Sequence, residues 1–499
     1  MEKTVVTGRR PETRALLDEI VTIRKEVAEE GWTTYAAWRE RLGLGRFAPS
    51  ALNFAHYLAL RRRDLRPLQR RLMPLGVSSL GRLESRVLAS LDAVANVLAA
   101  LAGTCGPRAP SERQFFRGEL RLAQNAAHCF GPPHHGRIGR IMVTLATEAA
   151  DNPGLIREAV AAGADTFRIN CAHDSETEWL RMIEFIRAAE AEAGRRLPVL
   201  MDVGGPKVRT ARILTPPDRS RLHIGDFAYL CREIEPDFTE VPFQFTCTLP
   251  QILDRVSVGD HLSIDDGQLV GSIIGASRGG FILRIGGGKL AGLKLRSEKG
   301  LNFPDTDLGL DPLTDKDRKD LDFIAAHADM VGHSFVQNAD HVATLQAELA
   351  RRRDDWRKLV LVGKIETPVA VANLPEIIVQ AAAHQPFAVM IARGDLAVEM
   401  GFERVAEMQE EIMWICEAAH VPLIWATQVL EGLVKKGLPS RGEMTDAAMA
   451  ARAECVLLNK GPNVAAAVGV LDRLLQRMGE HQVKKTPTLR ALHSWQHRG

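Results

Sequence analysis

The chain has 499 residues, 45% of them hydrophobic and 25% charged, with 64 Lys and Arg against 62 Asp and Glu for a formal net charge of +2. That length is too great for one ordinary core and argues for two or three domains, while the near balance of charge excludes a whole-chain polyelectrolyte aimed at nucleic acid or a membrane surface. The cysteines, seven in number and without a Cys-x-x-Cys pair, argue against a disulfide framework or a zinc module and fit a reducing, cytoplasmic setting.

Taken in chain order, the first predicted elements are helices over 12–30 and 83–102, with further helical patterns between them and a basic run at Arg61, Arg62 and Arg63. Residues 1–135 hold 21 Lys and Arg against 13 Asp and Glu, so the basic excess of the chain lies here. The longest apolar helical stretch, 87–101, is interrupted by Asp92 and Asn96, and the N-terminus lacks the apolar core of a signal peptide, so no membrane segment is expected. An all-helical domain over 1–135 is expected to end at the linker composition of Phe130-Gly131-Pro132-Pro133-His134-His135-Gly136. His128, His134 and His135 could gather a metal, although a linker cluster without one is the commoner reading.

Short apolar runs then alternate with amphipathic helices. The expected strands are 138–145, 166–169, 199–203, 330–334, 359–363, 388–391, 423–426 and 455–458, with helices such as 153–162, 177–193, 315–327 and 405–419 between them. Such alternation implies a parallel sheet with right-handed crossovers. Eight units point to an α/β fold closed as a (β/α)8 TIM barrel over 136–206 and 304–480, with an open doubly wound sheet as the rival. The connection 207–303, rich in Gly and β-branched residues, reads as a small β-barrel lid inserted after the third strand, and 481–499 as a tail.

Strand tips carry the chemistry. Val389-Met390-Ile391 runs into Ala392-Arg393-Gly394-Asp395, and Val360-Leu361-Val362 into Gly363-Lys364-Ile365-Glu366, which would bring Lys364, Glu366 and Asp395 to one barrel mouth. Glu366 and Asp395 are hard oxygen donors suited to a partly hydrated Mg2+ or Mn2+, although isolated acids at helix starts are common on dipole grounds alone. Arg168 and Asn170 point the same way at the end of the second strand, and Arg168 with Lys364 makes a cationic clamp suited to phosphoryl transfer. Asp202, Lys207 and Arg209 border the lid hinge, and Thr427 ends the seventh strand, where a helix N-cap is the plainer reading.

From about residue 140 to about 478 the chain resembles the pyruvate kinase family. The resemblance rests on Arg168-Ile169-Asn170, Gly205-Pro206-Lys207-Val208-Arg209-Thr210, Lys299-Gly300-Leu301-Asn302-Phe303-Pro304, Lys364-Ile365-Glu366, Ala392-Arg393-Gly394-Asp395-Leu396 and Ala426-Thr427-Gln428, in the family's order. It implies phosphoryl transfer from phosphoenolpyruvate to ADP, giving pyruvate and ATP in glycolysis, by a homo-oligomer. By the same resemblance Lys364, Arg168 and Thr427 are catalytic, and Glu366 and Asp395 bind the divalent metal. Ala392, Arg393, Gly394, Asp395 and Thr427 hold substrate; Asn170, His173, Arg209 and Lys299 face the nucleotide.

The departures are informative. The family's monovalent-cation site maps onto Asn170, Ala172, Asp202 and Val203, so a hydroxyl is missing, and position 207 is Lys, as in K+-independent members; independence from K+ is therefore expected. Position 204, usually Lys, is Gly, and Asn459-Lys460-Gly461 replaces a Ser-Gly-Glu block. The family's C-terminal domain has no counterpart, so its allostery is expected to be absent, and the helical domain lies outside the resemblance. Two other readings stay open: another phosphotransferase or lyase on the same barrel, and a metabolite-sensing regulator whose basic helical domain binds nucleic acid, against which the arginines read as a solvated or internal face.

Overall fold

In a computed structural model of the protein, residues 10–487 are described except 44, 78, 135 and 485. His135 and residues 488–499, which include most of the expected tail, therefore lie outside the described residues.

Eight parallel strands close into a barrel: β1 (Arg140–Thr144), β2 (Thr166–Asn170), β3 (Val199–Asp202), β4 (Met330–His333), β5 (Val360–Ile365), β6 (Phe387–Ala392), β7 (Leu423–Ala426) and β8 (Cys455–Leu458), each bonded to its neighbours in chain order, with β8 returning to β1. Both faces of these strands are buried, which is why they read as continuous apolar runs rather than alternating ones. Inward residues such as Met142, Leu200, Met330, Val362, Met390 and Leu457 fill the barrel interior. Helices such as Pro153–Ala162, Glu176–Ala193 and Asp315–His327 cover the outside, and Ser175 and Thr314 begin two of them with capping boxes.

The lid is a seven-stranded sheet built over residues 210–302. Its longest hairpin pairs Leu269–Ser277 with Gly280–Gly288 through Arg278 and Gly279, both at positive φ, as a tight two-residue turn requires. Its two end strands, Thr210–Leu214 and Leu301–Asn302, are joined just before they start by the antiparallel bridge Arg209 to Gly300. That bridge curls the sheet toward closure around Phe243, Phe245, Leu262, Ile273 and Leu283.

The helical domain comprises Arg10–Leu42, Ala48–Leu60, Val87–Ala102 and Arg117–Phe130 with shorter turns between. One stretch, Glu84–Ala102, is long and apolar enough to cross a membrane by length and composition; Val87, Leu91, Val94 and Leu98 are buried within the domain, as in a core helix. The domain docks on the barrel's outer helices: Trp38 Nε1 donates to Glu376 at 2.8 Å, Asn53 Nδ2 to the Ala418 carbonyl at 2.8 Å, and His420 sits between Ser50 Oγ (2.9 Å) and the Ser85 carbonyl (3.0 Å). Its last helix ends with Cys129 and Phe130 packed into the barrel interior beside Met142, Leu200 and Met330. The stretch read as a linker is thus anchored. Arg140 Nε donates to the Gly131 carbonyl, and Arg137, wholly buried, pairs with Asp165 and Asp472. His134 is in this network through Asp472, and among the described residues no group of three His, Cys, Asp or Glu side chains is placed to hold a metal.

Candidate active site

The C-terminal tips of the strands bring most of the expected residues into one chain of contacts. At the tip of β5, Lys364 Nζ lies 3.1 Å from Glu366 Oε1 and donates to Ser334 Oγ at 2.7 Å. Ser334 in turn donates to the Val203 carbonyl at 2.7 Å, so the loop after β4 anchors the lysine to the end of β3. Glu366 is 2% exposed, and its other oxygen accepts the Phe335 amide at 2.5 Å. Burial, reinforced by the charge of Asp395 and opposed by Lys364, holds the Glu366 carboxyl above the usual range. Phe335 takes a positive φ of 56° to present that amide.

Arg168 grips Asp202 Oδ2 through Nε and Nη2, both at 2.7 Å, and Lys364 lies 3.6 Å from the same oxygen. Asp202 is fully buried, and its Oδ1 has no hydrogen-bond partner among the described residues. The side chain fits only because residue 332 is glycine: a Cβ there would lie 2.0 Å from Oδ1. Two cationic side chains from β2 and β5 therefore share one carboxylate at the barrel mouth.

Asp395 is carried by a helix, Arg393–Met400, which starts directly at the end of β6 and places Gly394 and Asp395 in its first turn. Gly394 N donates to Thr427 Oγ1 at 2.9 Å, which joins this first turn to the tip of β7. Thr427 and Gln428 have φ of 66° and 57°, a conformation that a β-branched residue adopts only under constraint. The constraint is Arg393: its guanidinium donates to the Ala426 carbonyl (2.8 Å) and the Thr427 carbonyl (2.6 Å), stacks over Trp425, and is held by Asp446 at 2.5 and 2.9 Å. The side chain of Arg393 is thus committed to the turn rather than turned toward a substrate.

Lys207 is also placed differently from expectation. Its Nζ lies 2.5 Å from Asp395 Oδ1 and 3.5 Å from Asp266 Oδ1, rather than on the Asn170, Asp202 and Val203 set. Asp202 is held by Arg168, the Val203 carbonyl by Ser334, and Asn170 Oδ1 by the Ala172 amide at 3.2 Å. Of the residues expected at the nucleotide edge, Lys299 pairs with Asp265 at 3.0 Å and Arg209 donates to the Glu298 carbonyl at 3.1 Å, both at the base of the lid. Burial, followed by the charge of Lys460, holds the pKa of His173 below its ordinary value.

A profile of the pyruvate kinase barrel domain matches residues 137–465, about two thirds of the chain. The chain belongs to the pyruvate kinase family. It is 30% identical over 394 residues to the pyruvate kinase of Methylorubrum extorquens, covering 72% of this chain and 78% of that one. A pyruvate kinase of Agrobacterium vitis is 30% identical over 357 residues (69% and 70% of the two chains), and that of Thermococcus litoralis 32% over 313 residues (62% of each). The helical domain ahead of residue 137 lies outside the profile.

The pyruvate kinase family generally uses Mg2+, and the donor set here fits such an ion. Glu366 and Asp395 are two hard carboxylates, each already facing an ammonium, Lys364 at 3.1 Å and Lys207 at 2.5 Å. Two carboxylates, with no third His, Cys, Asp or Glu side chain grouped with them among the described residues, suit a cation that keeps water and takes its remaining ligands from substrate.

Sequence reasoning missed Ser334, Phe335 and Asp446. Ser334 directly follows β4, and the strand-tip rule applied to the other strands would have singled it out. Asp446 lies in the helix Arg441–Ala450, and nothing local ties it to Arg393.

Proposed function

We propose that the chain transfers the phosphoryl group of phosphoenolpyruvate to ADP, yielding pyruvate and ATP. The observation that carries this reading is the chain of contacts at the barrel mouth, in which Arg168, Lys364 and Glu366 are joined through Phe335 and Lys207 to Asp395 and, through Gly394, to Thr427.

Arg168 and Lys364 neutralise the phosphoryl group in transit, and Lys364 remains beside the enolate oxygen as the bond to phosphorus breaks. Ser334 and Asp202 hold the lysine so that no reorganisation is needed at that moment. The first turn of the helix Arg393–Met400, with the Thr427 hydroxyl, receives the substrate carboxylate, aided by the positive end of the helix. Thr427 lies near the face on which the enolate takes up its proton. Asn170, His173, Arg209 and Lys299 face the nucleotide. Glu366 and Asp395 would hold Mg2+ or Mn2+, which supplies Lewis-acid neutralisation of oxygen charge. The lysine at 207 supplies a fixed positive charge beside Asp395, and on that basis turnover is independent of K+.

Formation of ATP from phosphoenolpyruvate and ADP by the purified chain with Mg2+, lost on chelation, tests the reading. A chain that binds Mn2+ yet makes no ATP would shift the assignment to another reaction on the same barrel.

A further inference from the structure

The lid is tied to the barrel by two stretches of chain, one entering it through Lys207 and one leaving it through Asn302. The antiparallel bridge between Arg209 and Gly300, with the Leu301 amide donating to the Val208 carbonyl at 2.9 Å, sets these stretches side by side, so that Lys207 comes opposite Asn302. Gly300 leaves the lysine its path: a Cβ there would lie 2.9 Å from Lys207 Cε.

Both side chains reach the same helix, Arg393–Met400. Lys207 Nζ lies 2.5 Å from Asp395 Oδ1, and Asn302 Nδ2 donates to Glu399 Oε1 at 2.7 Å. Asp395 and Glu399 are one helical turn apart and so stand on one face. The lid turn Asp265-Asp266-Gly267 closes over that helix as well, with Asp266 at 3.5 Å from Lys207 Nζ and Gly267 facing Val398. The cavity along which Lys207, Asn302 and Glu399 meet is about 100 Å³. Small-molecule sites start at roughly 300 Å³, so this is a seam rather than a ligand pocket.

The two contacts constrain the lid differently. The flexible stem of Lys207 lets its ammonium follow a carboxylate through a range of lid positions. Asn302 is short and 4% exposed, so its amide meets Glu399 in one position and has no water to replace the bond if the lid shifts.

We propose that the Asn302–Glu399 hydrogen bond sets the register of the lid over the barrel mouth, and that both are positioning residues which keep Lys207 on Asp395. The consequence for turnover rests on the phosphoryl transfer proposed above; the lid contact does not.

Pulsed spin-label distance measurements on the full chain test this, with labels at Ile274→Cys on the lid and Leu180→Cys on a barrel helix, both exposed, in a Cys105→Ser background that removes the exposed native thiol. The native pair should give one narrow distance distribution. It should broaden in Glu399→Ala and in Asn302→Asp, which at about pH 8 sets two carboxylates against each other. It should narrow again in Asn302→Asp combined with Glu399→Gln, where donor and acceptor are exchanged. In the unlabelled proteins kcat should be about tenfold lower in each single variant and within about threefold of wild type in the exchanged pair. Glu399→Ala removes only an acceptor, so it reads the contact even if Asn302→Asp does not fold. Unchanged distances in the folded single variants, or an exchanged pair as broad as Asn302→Asp, overturn the proposal. A wild type that makes no ATP yet shows the expected distance changes upholds the lid contact and overturns the assigned reaction instead.

Discussion

The ammonium of Lys207 lies 2.5 Å from Asp395 Oδ1 and joins the hinge of the lid to the first turn after β6. Burial works against that charge, but Asp395 and Asp266 outweigh it and raise the pKa of the lysine above its ordinary value. The site thus contains a permanent cation next to a proposed metal ligand. Wild-type turnover is expected to be the same in K+ and in tetramethylammonium. Lys207→Met is expected to turn over about tenfold more slowly without K+, equivalent to about 1.4 kcal/mol of transition-state stabilisation. Strong K+ activation of the wild type in a steady-state assay would contradict this.

Asp446 holds Arg393, and Arg393 holds the strained Thr427 turn. Asp446→Ala should free the guanidinium and let the Thr427 hydroxyl drift, with kcat falling on the order of 100-fold because small displacements of a positioning group are costly. Circular dichroism should show an intact fold, and an unchanged kcat would show that the turn holds itself.

Gly332 is expected to tolerate no side chain. In Gly332→Ala the new methyl would stand 2.0 Å from Asp202 Oδ1 and force that buried carboxylate off Arg168 and Lys364. The expected cost is about 3 kcal/mol, at the upper end for overpacking, read from denaturant unfolding. A loss below about 0.5 kcal/mol, the range of ordinary surface changes, would mean that the pocket around Asp202 is looser than described.

The seam between the helical domain and the barrel should weaken in acid. His420 accepts or donates between Ser50 and Ser85, and burial, with Arg121 nearby, depresses its pKa to about 4. A histidine that is harder to protonate when folded favours the folded state fully above its unfolded pKa, and this advantage declines as the pH falls through the window down to about 4. Between pH 7.5 and pH 5 it amounts to about 2 kcal/mol. His420→Gln should flatten the pH dependence of urea unfolding over that interval; an equally steep variant would place the titration elsewhere.

The barrel was legible because its strands are apolar on both faces and end abruptly in polar residues: Leu423–Ala426 and Cys455–Leu458 match the expected bounds, and the others differ by at most two residues at either end. The pairing of Lys364 with Glu366 followed from alternation along one strand. Contacts between distant segments were not legible. Nothing local marks Phe130 as an element of the barrel interior, Asp446 as the support of Arg393, or Lys207 as the partner of Asp395. The start of a helix at Arg393 was hidden because Ala392 offers no side-chain cap and glycine follows. Nor was it legible that in the basic run Arg61 stacks over Trp414 of the helix Phe402–Ala418, while Arg62 and Arg63 pair with Glu30.

The most direct test of phosphoryl transfer at this mouth is a coupled assay of pyruvate formation from phosphoenolpyruvate and ADP with Mg2+, run on the wild type beside Lys364→Met. The account predicts robust turnover by the wild type and a loss of at least 1,000-fold, about 4 kcal/mol, in the variant, with unchanged circular dichroism. A folded Lys364→Met enzyme within tenfold of wild-type kcat would contradict it.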